Sequence, residues 1–161
     1  MVSDIQKAIT WIIEFLEENK IPYIICGGLA CIGYGSNRAL HDIDFYVPKK
    51  DFAKVVEFGK DYISMSACRV QNINWDIEFV QFTYKGIKIE IGSDNNIKTC
   101  NRKNGGWFHE KIKFDKYSLI NLYGRDLKVM NIEDLIEYKS RLLREVDKLD
   151  LNFLKIKKGI Q

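Results

Sequence analysis

Between Ile24 and Val47 the chain reads IICGGLACIGYGSNRALHDIDFYV, and this stretch limits the fold more than any other. A short apolar run, a Gly-Gly pair, a small-residue segment, the turn Gly35-Ser36-Asn37 and a second apolar run follow in that order. The pattern predicts a buried strand over Tyr23–Cys26, a short helix over Leu29–Tyr34 and a strand over Leu40–Val47. Side chains alternate along a strand, so Asp42, Asp44 and Tyr46 are expected on one face and Ile43, Phe45 and Val47 in the core. Two carboxylates beside a glycine turn suit a hard cation and the phosphates it carries. A plain turn followed by two surface acids is the alternative.

The flanking segments complete an α+β (α/β) pattern. Ser3 and Gln6 fit a capping box, and Ile5, Ala8, Ile9, Ile12, Ile13 and Leu16 form one helical stripe that ends before Pro22. A second helix is expected over Asp51–Tyr62 and a weak strand over Arg69–Ile73. Stronger strands, Ile77–Tyr84 and Ile87–Ile91, flank the hairpin pair Lys85-Gly86. Ile87, Ile89 and Ile91 share one face of the latter; Lys88 and Glu90 share the other. Ser93–Gly106 holds four asparagines and two lysines and reads as an exposed, mobile loop. Short strands are expected at Tyr117–Tyr123 and Leu127–Met130. Asn131 caps a final helix whose stripe is Leu135, Tyr138 or Lys139, Leu142, Val146 and Leu149.

At 161 residues the chain reads as one domain, residues 1–161, with residues 131–157 a C-terminal helical segment. Hydrophobic residues at 46% and charged residues at 29% match an ordinary globular composition. A net charge of +3 allows an anionic substrate without calling for nucleic acid. Lys98, Arg102, Lys103 and Trp107 leave a nucleic-acid contact open through phosphate and stacking interactions. No apolar run nears the roughly 20 residues of a membrane span, and the N-terminus has no signal pattern. The four cysteines lack a C-x-x-C spacing and read as buried free thiols of a cytoplasmic protein.

Glu90 raises the weight of the aspartate pair. If neighbouring strands bring it beside Asp42 and Asp44, three carboxylates must repel one another unless a cation neutralises them. Mg²⁺ or Mn²⁺ is the expected cofactor; pairing of Glu90 with Lys88 is the alternative. Arg38 is placed to pair with phosphate, or with Asp42 or Asp44. Lys139 is placed to reach a phosphate, or to be a solvated or ion-paired lysine. His41 is expected to face away from the acids, and Arg144, Asp147 and Asp150 to form ion pairs on a helix surface.

The string G-G-L-A-x-x-G-Y-G-S-N-R-x-x-x-D-I-D resembles the signature of the DNA-polymerase-β-type nucleotidyltransferase superfamily. It is most similar to small bacterial and archaeal members: lincosamide-type antibiotic nucleotidyltransferases and the nucleotidyltransferase proteins of abortive-infection and toxin–antitoxin systems. Glu90 matches the third-carboxylate position, and Asn131–Asp150 is similar to the family's C-terminal helix. The resemblance implies a mixed sheet flanked by helices, and transfer of a nucleoside monophosphate from an NTP to a hydroxyl, releasing pyrophosphate. It implies metal ligation and catalysis by Asp42, Asp44 and Glu90, with Gly27, Gly28, Arg38 and Lys139 toward the nucleotide phosphates. The resemblance leaves the acceptor open among a small molecule, a protein and RNA, and a homodimer or a helical partner protein is compatible. Two positions depart from the pattern. Gly28 stands where many members carry a serine, and Leu40 where a hydroxyl residue often precedes the acids. An antitoxin-like or regulatory binding module is the alternative function. A D-x-D glycosyltransferase fits poorly, because its chain would be longer and would not need Glu90.

Overall fold

Backbone pairing gathers nine strands into one mixed sheet in the computed structural model, which describes residues 1–159. The elements are α1 (Asp4–Glu18), β1 (Ile24–Cys26), α2 (Gly27–Gly33), β2 (Ile43–Val47) and α3 (Lys49–Phe58). A 3₁₀ turn at Lys60–Tyr62 leads to β3 (Ile63–Gln71), β4 (Trp75–Tyr84), β5 (Ile87–Ser93), β6 (Lys98–Asn101) and β7 (Gly106–His109). The chain closes with β8 (Tyr117–Leu122), β9 (Arg125–Met130), α4 (Ile132–Leu142) and α5 (Glu145–Lys158). Strand order is β7-β6-β4-β5-β2-β1-β9-β8, with β3 on the outside of β4. β2 runs antiparallel to β1 and parallel to β5, so the three strands nearest the aspartates lie side by side.

The α1 stripe behaves as its periodicity predicts. Ser3 Oγ accepts from the Gln6 amide at 3.2 Å, and Ala8, Ile9, Ile12, Ile13 and Leu16 are buried. Trp11 and Phe15 lie at the edge of this face and stack on Tyr84 and Phe58, with centroids 4.6 and 3.8 Å apart. These stacks tie α1 to α3 and to the end of β4. Lys85 and Gly86 both take positive φ, 52° and 76°, as a tight hairpin between twisted strands requires.

Three expectations fail for physical reasons. The weak strand at Arg69–Ile73 is the end of a nine-residue strand, β3. Its residues are mostly exposed and its register slips twice against β4, so it carries no burial pattern and is held by backbone pairing. The expected loop over Ser93–Gly106 contains β6 and the start of the β6–β7 hairpin. Thr99 is fully buried and donates to Glu110 at 2.6 Å; Ile97 is also buried. The polar composition hid a strand whose hydrogen bonds run to β4 and β7.

The third concerns the final helix, which is two helices. Leu143 takes a left-handed conformation, φ 47°, between α4 and α5. Nothing local in KSRLLREVDKLD forbids a continuous helix, since it has no glycine or proline. The break is imposed from outside. Arg102 donates its backbone N–H to Arg141 O at 2.9 Å and its Nε to Leu142 O at 2.6 Å, capping α4. Arg144 then starts α5, its amide donating to the Asp147 carboxylate at 3.0 Å. As a result Leu149, expected in the apolar stripe, points to solvent.

Candidate active site

The turn from β1 into α2 brings the site together. Gly27 has φ +64°, and a side chain there would run into the Asp44 carboxylate. A Cβ on Gly28 would lie 3.2 Å from the central carbon of the Arg38 guanidinium. The two glycines therefore leave the backbone bare for a carboxylate and a guanidinium to lie directly against it. Cys26, the last residue of β1, pairs with Asp44 on β2, and Asp44 pairs in turn with Glu90 on β5. This register sets both acids on the same face of adjacent strands.

Asp42 lies just ahead of β2, which begins at Ile43 and not at the expected Leu40. It nevertheless joins the other two acids: one oxygen from each of Asp42, Asp44 and Glu90 lies within 4.8 Å of the others. All three are half-buried. Burial pushes the Asp44 carboxyl well above the ordinary carboxylate range, and the charges of Asp42 and Glu90 push it further the same way. Glu90 is also raised, by burial and then by Asp42, against a lowering pull from Lys88. Its oxygen accepts from Gln81 at 3.3 Å, and the alternative pairing with Lys88 is not formed. The cluster holds its charge at a cost that an oxygen-seeking divalent cation would remove, and Mg²⁺ or Mn²⁺ fits this donor set.

A second group of charges lies behind the first. Lys139 is 2% exposed, with its ammonium 2.9 Å from Asp150 and 3.4 Å from Asp147. Arg38 reaches the same Asp150 oxygen at 2.6 Å. Its pairing is thus with Asp150, not with Asp42 or Asp44. Arg144 donates to Asp147 through Nε at 2.7 Å and Nη2 at 3.0 Å, and its guanidinium lies 4.7 Å from the centre of the Trp75 ring. Burial raises the Asp147 carboxyl, but the Arg144 bonds and charge, with Lys139, outweigh it and hold it below the ordinary value. Lys139 is therefore not a solvated lysine, and Asp147 and Asp150 are not surface residues.

A cleft of about 580 Å³ opens over both groups. Gly27, Gly28 and Arg38 line one end and Lys139 its wall. His41, expected to face away, lines it too, because it lies in the loop before β2 where strand alternation does not apply. Reading the residues alone missed Trp75, Ile77, Phe79 and Tyr138, which line the far side. Trp75 donates its indole N–H to Tyr138 at 3.0 Å. Cys26 lies beneath the acids with its thiol raised by burial and by Asp44, so it stays protonated. The four thiols are unpaired; Cys26 and Cys31 are buried, Cys100 is intermediate, and Cys68, against expectation, is exposed. No helix among the described residues is long and apolar enough to cross a membrane.

The sequence matches the family model described as aminoglycoside-2''-adenylyltransferase over residues 8–154. A comparison with curated proteins finds no match. Among solved structures, a nucleotidyltransferase candidate from Thermotoga maritima superposes with a TM-score of 0.72 at 18% identity, covering 94% of this chain and 92% of its own. The lincosamide antibiotic adenylyltransferase LnuA, lincomycin-bound, gives 0.64 at 20% identity over 96% of this chain and 97% of its own. ANT(2'')-Ia, in complex with adenylyl-2''-tobramycin, gives 0.63 at 12% identity over 98% and 91%. The sheet and its flanking helices are the nucleotidyltransferase fold.

Proposed function

The chain belongs to the aminoglycoside-2''-adenylyltransferase family, and we propose that it transfers a nucleoside monophosphate, most simply AMP from ATP, to a hydroxyl of a small molecule. The observation that carries this reading is the convergence of Asp42, Asp44 and Glu90 within 4.8 Å, beside a bare glycine turn and a guanidinium. These carboxylates would hold Mg²⁺ (or Mn²⁺), which would neutralise charge on the triphosphate and make the acceptor hydroxyl more acidic. Asp42, Asp44 and Glu90 would hold the cation. The backbone at Gly27 and Gly28 and the guanidinium of Arg38 bind the phosphates. Lys139 and Arg38 share one oxygen of Asp150, and this contact holds Arg38 against Gly28.

In the transfer step the acceptor oxygen forms a bond to the α-phosphorus while the bond from that phosphorus to the bridging oxygen of pyrophosphate breaks. The hydroxyl proton passes to a Glu90 oxygen, on the strand of the cluster farthest from the glycine turn. Donor and acceptor oxygens lie in line, so positioning and charge neutralisation supply most of the catalysis. Unpaired thiols support a reducing, cytoplasmic setting.

The test is incubation with α-labelled ATP, Mg²⁺ and a pool of hydroxyl compounds, followed by detection of pyrophosphate and labelled product. Transfer that persists unchanged in Asp42→Asn and Asp44→Asn overturns the assignment. Absence of Mg²⁺–nucleotide binding by calorimetry turns the reading toward a regulatory binding module.

A further inference from the structure

The cleft has two unlike ends, and the difference identifies what enters the second. Moving across the sheet from the glycine turn, the order is β1, β2 with Asp44, β5 with Glu90, then β4. The carboxylates therefore separate the phosphate end from a wall built on β3 and β4. In-line transfer needs donor and acceptor on opposite sides of the α-phosphorus. With the phosphates at Gly27, Gly28 and Arg38, the acceptor belongs at the β3–β4 wall.

That wall is apolar. Val70, Trp75, Ile77 and Phe79 are each only half-buried and all line the cleft. Gly92, two residues after Glu90 on the same face of β5, lets it close tightly. A side chain there would meet Ile77 at 2.8 Å and the Tyr46 ring at 3.0 Å. Among the described residues, the cleft is lined by no acid besides Asp42, Asp44 and Glu90, the three that hold the cation. Of the other acids near this wall, Glu78 alternates onto the face of β4 opposite Ile77 and Phe79 and does not line the cleft. Asp76 is bonded to Arg69 at 2.6 Å, and Glu145 is largely exposed and bonded to Lys148 at 2.7 Å. The charge facing the wall is that of Arg144, lying over Trp75.

An aminoglycoside carries several ammonium groups, and each needs a carboxylate or water when it is enclosed. Among the described residues, this wall has neither a carboxylate nor any other negative charge to meet them. We propose that Val70, Trp75, Ile77 and Phe79 form the acceptor subsite, and that it takes an uncharged or singly charged hydroxyl compound with an apolar face. A polycationic amino sugar is excluded. The proposal rests on the carboxylate cluster being the transfer centre.

The experiment is calorimetry with Mg²⁺ and a non-transferable ATP analogue, then with two hydroxyl compounds of opposite character added to that complex. Lincomycin carries a single amine and an apolar chain; tobramycin carries several ammonium groups. The expected result is lincomycin binding at least about tenfold tighter, the scale set by burying one apolar group. Ile77→Asp is expected to shift that ratio toward tobramycin by about the same factor. Val70→Asp, on the exposed edge strand β3, provides the same reading should Ile77→Asp fail to fold, as judged by circular dichroism. Equal or tighter binding of tobramycin, binding of neither compound, or a ratio unmoved by the folded variant overturns the proposal. If the nucleotide analogue itself does not bind, the transfer-centre reading fails instead, so the two failures are distinguishable.

Discussion

The molecule holds two clusters of charge a few residues apart in space, and they are built on opposite plans. Asp42, Asp44 and Glu90 are acids facing acids, and the Asp44 and Glu90 carboxyls are raised by burial and by the charge of their neighbours. Arg38, Lys139, Arg144, Asp147 and Asp150 are cations facing acids, with each buried charge answered by hydrogen bonds. The first cluster is complete only with something added. The second is already balanced and ties α4 and α5 to the glycine turn. Like charges held close mark a site for a ligand; unlike charges held close mark the frame that positions it.

The largest effect expected from breaking this contrast is in the first cluster. Asp44→Asn should lower nucleotidyl transfer by about a hundredfold to a thousandfold, the several kcal/mol that metal-assisted charge stabilisation supplies. Its melting temperature should stay level or rise, because the substitution removes a repelled charge. A large fall in melting temperature would show that Asp44 belongs to the frame.

Asp147→Ala should do the reverse. It leaves Lys139 and Arg144 without their shared partner, and breaking a buried pair costs about 3–5 kcal/mol. A urea unfolding curve measures this, and a loss well under 1 kcal/mol would mean the pair is not buried in solution. The same carboxyl sets an acid limit. Its folded value lies below the unfolded 3.8, so its stabilisation is complete above that value and is lost as pH falls through the folded one. Unfolding curves taken below pH 4 should therefore weaken more steeply in the native protein than in Asp147→Ala.

Gly27→Ala tests the contact between backbone and carboxylate. A left-handed φ costs a residue with a side chain roughly 1–2 kcal/mol, and the added methyl collides with Asp44. Transfer should fall with stability, whereas Gly86→Ala, which meets nothing within 4 Å, should lose only stability. Asp150→Asn gives the smallest effect and touches both clusters, since its carboxylate holds Arg38. Nucleotide affinity should weaken about threefold to tenfold, the scale of one charged hydrogen bond lost in part, with the turnover rate less changed. Equal loss in both would place Arg38 in the transition state and not in ground-state binding.

The first cluster was legible in the sequence and the second only in part. Asp42, Asp44, the glycines and Arg38 lie within one short stretch, where turn chemistry and strand alternation act locally. Glu90 could be added because isoleucines at every second position of β5 left it on the open face. Lys139 gave a weaker signal: a charged residue within the apolar stripe from Leu135 to Leu142, which left a phosphate contact, an ion pair and a solvated side chain all open because its partners were unknown. Asp147 and Asp150 were legible as ion-pair members but not as buried ones, because their burial depends on the break at Leu143, and that break depends on Arg102 from a distant hairpin. β3 and β6 escaped for a related reason, since pairing along the backbone leaves no mark on side-chain pattern.

By itself the sequence determined the elements whose signals are local: the α1 stripe, the Gly27-Gly28 turn, the hairpin at Lys85-Gly86 and the faces of β2 and β5. Those signals arise from periods of two and of 3.6 residues and from glycine's freedom at positive φ, none of which needs a partner. Tertiary structure alone decided that Asp44 stands beside Glu90, that Arg38 answers to Asp150, and that an apolar wall faces the acids. Each of these is a meeting of residues tens of positions apart, and long-range pairing is set by which strands and helices pack together.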